Sequence, residues 1–63
     1  MLRAIVADAD KDELDHLINL IDWKKEGIDL IATATDGNGL LKQIKSLHPD
    51  LVILDTDVSG EID

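Results

Sequence analysis

"DLVILDTD", residues 50–57, is the stretch on which the fold turns: four apolar residues, Leu51 to Leu54, run straight into Asp55. An apolar run this short, ending abruptly in a carboxylate, suits a strand buried on both faces of a parallel sheet. The residues before it support that assignment. Pro49 forces His48 out of helical geometry, so a helix must end there. That helix has a start signal in "DGNG" (36–39), where Asp36 can cap it. Its Leu40, Leu41, Ile44 and Leu47 recur at helical spacing and are expected to point inward.

Further back, "IDLIATAT" (28–35) is predicted as a strand and "LRAIVA" (2–7) as another. Between them, Asp10 with Glu13 three residues later forms the capping-box pattern. Leu14, Leu17, Ile18 and Ile21 then share one helical face. Gly27 is the expected stop of this first helix, with Lys24 and Lys25 in its last turn favouring the negative end of the dipole.

The element order is therefore β-α-β-α-β, an α/β pattern with short connections. Right-handed crossovers between parallel strands leave few arrangements. The first helix leads outward to the second strand, and the second helix returns across the first strand to the third. Strand order 2-1-3 follows, with the helices on opposite faces. The carboxyl ends of strands one and three then lie about 4.8 Å apart. Asp8, Asp10, Asp55 and Asp57 gather at that edge, where open α/β sheets bind ligands.

Composition narrows the function. Fourteen acidic residues against six basic ones give a net charge of −8, which repels phosphate backbones and anionic lipid. Direct nucleic-acid or membrane binding is not expected. No apolar run approaches the roughly 18 residues of a membrane span, and no leader pattern opens the chain, so a cytoplasmic location is expected. There is no cysteine to form a disulfide or a thiolate metal site. Sixty-three residues make a single small domain, spanning 1–63, whose core is marginal without a partner.

Carboxylates crowded at one sheet edge raise one another's pKa or recruit a cation. Mg²⁺ takes oxygen ligands and keeps several waters. A carboxylate beside it could attack a phosphoryl donor and become an acyl phosphate. The plainer alternative is that acids follow strands here because loops face water.

Four segments in order carry a resemblance: "AIVADAD" (4–10), "LIDW" (20–23), "TDGN" (35–38) and "HPDLVILD" (48–55). The chain resembles a receiver domain of two-component response regulators, especially those paired with AraC-type DNA-binding domains, from Met1 to about Gly60. The resemblance implies a flavodoxin-like fold, with Asp55 as the phosphoacceptor served by a histidine kinase. It places Asp8 on the first acid of the metal-binding pair and Asp10 on the acid just beyond it. Asp57 falls where the family lends a backbone carbonyl to Mg²⁺. The second acid of the pair, normally a direct metal ligand, is Ala9, and Ser59 stands where proline usually precedes Gly60. The family's later hydroxyl and lysine have no counterpart by Asp63. Phosphoacceptance is therefore expected to be weak or lost.

The expectation is a half domain of flavodoxin-like topology. Its third strand, 50–55, would offer an apolar edge to a second copy, completing the core as a homodimer. The alternative function is a structural or interaction module that folds and homodimerises without catalysis. Of the remaining residues, Trp23 is expected to anchor a helix end and His16 to be solvated. His48 is expected to serve as a helix-end cation when protonated. Leu40 stands where receivers often carry alanine.

Overall fold

The computed structural model describes residues 1–55 and Val58. Its elements run β1 (Leu2–Ala7), α1 (Lys11–Leu20), β2 (Ile28–Ala34), α2 (Gly37–Leu47) and β3 (Leu51–Leu54). The three strands form one parallel sheet in the order β2-β1-β3, as the crossover rule requires. The chain is α/β, consistent with half of a flavodoxin-like domain.

β1 is the centre because its apolar residues have cover on both faces. Ile5 and Ala7 point to one side, where they pack with Ala34, Leu40 and Val58; Ile44, Leu47, Val52 and Leu54 border this cluster. Ala4 and Val6 point the other way and are fully buried outside that cluster, where Leu14 of α1 is also buried. α1 therefore covers the face opposite α2. Leu40, in the place where receivers often carry alanine, is completely buried against β1. Leu41, expected to point inward, is instead exposed. Gly37, Leu40, Ile44 and Leu47 define the buried stripe, and the next position along the helix falls about 100° outside it.

β2 departs from simple alternation. Its register against β1 shifts between Ala4 and Ile5, so Leu30 pairs with Ala4 whereas Ala32 pairs with Ile5. The extra residue is Ile31, and both it and Ala32 reach the α2 side of the sheet.

The first helix is shorter than the sequence predicts. α1 ends at Leu20, and Ile21 already has extended backbone angles. Residues 23–27 form turns, not helix. The Trp23 indole N–H donates to the Ile18 carbonyl at 3.0 Å, capping the helix end from below. Asp22 accepts from the Lys25 amide at 3.3 Å, and the Ile28 amide donates back to the Trp23 carbonyl at 2.9 Å. Lys24 and Lys25 thus lie beyond the helix rather than in its last turn. Gly27 keeps its role as a stop, but of this turn: its φ of +75° is open to glycine, and its carbonyl receives the Leu2 amide.

The second helix ends as Pro49 demands. His48 sits in the left-handed region, φ 48° and ψ 62°, with its amide donating to the Ile44 carbonyl. A cation that bonds this end is Arg3 of β1. Its Nη1 donates to the Leu47 and His48 carbonyls at 2.7 and 3.1 Å. The Arg3 backbone also exchanges hydrogen bonds with Asp50, tying the start of β3 to β1.

Candidate functional site at the carboxyl edge of the sheet

The ladder hydrogen bonds extend one residue past the strands and build the site. The Asp8 amide donates to the Ala34 carbonyl at 3.0 Å, and the Asp55 amide donates to the Ala7 carbonyl at 3.2 Å. Strand pairing alone therefore sets Asp8 and Asp55 side by side at the tips of β1 and β3. Asp8 is buried, with 8% of its surface exposed; Asp55 is half-buried.

The Asp8 carboxylate is oriented by the chain that follows it. Its Oδ1 accepts from the Asp10 amide at 2.9 Å. Asp10 in turn caps α1, its Oδ1 accepting from the amides of Asp12 and Glu13 at 2.9 and 3.4 Å. Asp10 thus sits at the rim as a helix cap. Among the described residues, the acids whose carboxylate oxygens lie within 4.8 Å of one another are Asp8, Glu13 and Asp55. Asp57 lies outside the described residues.

Asp55 accepts from the Val58 amide at 2.9 Å on Oδ1. That bond, with a side-chain hydrogen bond to Asp8 and another from the Ala9 backbone, holds its carboxyl below the ordinary range despite partial desolvation. Glu13 is pushed the other way, chiefly by the negative charge of Asp8, then by Asp10, desolvation, Asp55 and a side-chain hydrogen bond to Asp8.

Two contributors escape a reading of the sequence alone. Glu13 carries the signal of a first-turn acid three residues after a cap, but that pattern sends its carboxylate back to the cap. Here Asp8 already holds the Asp10 amide. Val58 contributes through its backbone, so its residue type carries no signal; its side chain is buried beside Leu40.

The chain is 30% identical over 59 residues to the DNA-binding transcriptional activator EvgA of Escherichia coli strain K12, a response regulator matched at its N-terminal receiver domain. EvgA of Escherichia coli O157:H7 and of Shigella flexneri match at the same 30% identity. This chain resembles a response-regulator receiver domain. The receiver match covers 94% of this chain and 28% of the length of these relatives. No protein-family profile and no solved structure matches it.

Receiver domains hold Mg²⁺ through acidic residues at this edge. The donor set fits such an ion: three carboxylates, all hard oxygen ligands, converge within 4.8 Å. No helix among the described residues is long and apolar enough to cross a membrane.

Proposed function

We propose that the chain accepts a phosphoryl group on Asp55 from a phosphohistidine of a histidine kinase, as receiver domains do. The observation that carries this reading is Asp55 itself: a half-exposed carboxylate at the tip of β3, favoured in its ionised form and oriented by the Val58 amide. An ionised carboxylate oxygen is the nucleophile the reaction needs. It forms a bond to phosphorus as the phosphorus–nitrogen bond of the donor breaks. The imidazole leaves with that electron pair and takes up a proton, and an aspartyl phosphate remains.

Asp8 and Asp55 would be among the residues that hold Mg²⁺, and the Val58 amide orients the Asp55 carboxyl. Bound Mg²⁺ offsets carboxylate charge that otherwise repels an anionic donor. Ala9 in place of the second acid makes the reaction slow. In this reading the partners are a histidine kinase and Mg²⁺ in the cytoplasm, and the net charge of −8 opposes direct contact of this segment with nucleic acid. Incubation with acetyl phosphate and Mg²⁺, followed by intact-mass measurement, tests it. The expected result is a gain of one phosphoryl group, absent in Asp55→Asn. No gain, or the same gain in Asp55→Asn, rejects the assignment.

A second reading is favoured by the edge of β3. Among the described residues β3 pairs with β1 alone, and all four of its residues are half-buried. In this reading the strand at 50–55 pairs with a second copy, whether or not phosphate is transferred. Sedimentation equilibrium at micromolar concentration should return the mass of two chains; the mass of one chain assigns that edge to something else.

A further inference from the structure

The resemblance leaves a gap at Ala9, where receivers carry an acid that ligates the metal directly. We propose that Glu13, from the first turn of α1, supplies the missing carboxylate to the divalent cation. This rests on the receiver reading of Asp8 and Asp55 and names a ligand that reading does not contain.

The neighbouring acids are otherwise engaged or turned away. Asp10 spends Oδ1 on two amides of the first helical turn. Asp12 is exposed and does not join the group within 4.8 Å, although it precedes Glu13 directly. One residue along a helix is about 100° of rotation, which separates the two side chains.

Local hydrogen bonding also turns Glu13 away from its own helix cap and towards Asp8. In a closed capping box its carboxylate would return to the Asp10 amide. The Asp8 Oδ1 occupies that amide at 2.9 Å, so half of the box is absent and Glu13 faces Asp8 and Asp55 instead. The same bond couples the start of α1 to Asp8, and the Asp10 cap ties the Glu13 amide to that unit. A carboxylate on the longer arm of glutamate, carried by the helix, thus stands within 4.8 Å of the Asp8 and Asp55 oxygens. With Asp8 and Asp55 it would offer a hard divalent ion three carboxylate ligands.

Titration with MgCl₂, followed by amide chemical shifts of the intact chain, measures the dissociation constant directly. Wild type should saturate. Glu13→Gln should raise the constant at least tenfold, whereas Asp12→Asn, which removes the same charge one residue away, should change it less than twofold. Adding Ala9→Asp to Glu13→Gln should restore most of the loss. Unchanged shifts at residues far from the rim verify that each variant is folded. Equal effects of Glu13→Gln and Asp12→Asn overturn the assignment, and so does the absence of saturable binding in wild type. Loss of Mg²⁺ binding in Glu13→Gln upholds it even if wild-type Asp55 takes no phosphoryl group, a result that would remove only the phosphoacceptor reading.

Discussion

Glu13 and Asp55 share one rim, and their protons respond to it in opposite directions. The Glu13 carboxyl is raised from 4.5, so the folded chain holds that proton more tightly than the unfolded one. The stability this provides is complete below about pH 4.5 and is lost as pH rises through the raised value. Asp55 is lowered from 3.8; its contribution is present above that value and is lost as pH falls through the depressed one. Metal-free Glu13→Gln should therefore melt above wild type at pH 7, with the gap closing as pH falls towards 4.5. Saturating Mg²⁺ should reverse the order, because the ion stabilises the protein that binds it better. Thermal melts with and without MgCl₂ check both halves, and equal melting temperatures at pH 7 without Mg²⁺ speak against a strained Glu13.

His48 gives a second test at this scale. A side chain at φ 48° carries a cost of about 1–2 kcal/mol, which glycine avoids in part against its own chain entropy. His48→Gly should leave stability unchanged or raise it by up to about 1 kcal/mol, and His48→Val should lower it by about 1–2 kcal/mol. Urea unfolding measures both. The rim acids Asp8 and Asp55 were legible because each follows an apolar run directly. The Arg3 guanidinium at the end of α2 was not: it bonds the Leu47 carbonyl from 44 positions away.

Among the elements, the strands and the helix starts follow local rules. Asp36 caps α2 through the Gly39 amide at 2.6 Å, and Gly39 is suited to this because a Cβ there would lie 3.0 Å from the Asp36 Oδ1. The end of α1 does not follow local rules. Ile21 continues the apolar period and Gly27 is an obvious terminator, so the pattern alone extends the helix. Trp23 ends it early by folding back to the Ile18 carbonyl. Trp23→Phe keeps an aromatic ring but removes that donor, and should cost about 1–2 kcal/mol in urea unfolding. A cost indistinguishable from zero would mean the indole N–H contributes nothing to that end. The shift at Ile31 was equally hidden, since both neighbours of a bulge in an apolar strand look like core residues.

For the molecule as a whole, topology does what no single residue can. Order β2-β1-β3 with every strand parallel brings positions 8 and 55, far apart in sequence, to one edge, and α1 then swings Glu13 over them. Much of the acidic surface, including Asp12, Asp15, Asp22 and Asp29, is exposed elsewhere. A divalent cation should distinguish the rim from that remainder. Substoichiometric Mn²⁺ added to the isotope-labelled chain tests it most directly, because a paramagnetic ion broadens the amide signals of residues near its site. Broadening should centre on Asp8, Ala9, Glu13 and Asp55 and spare Gly27 and Asp50 near the opposite ends of the strands. Broadening spread evenly over the exposed acids, with no preference for the rim, would contradict the account.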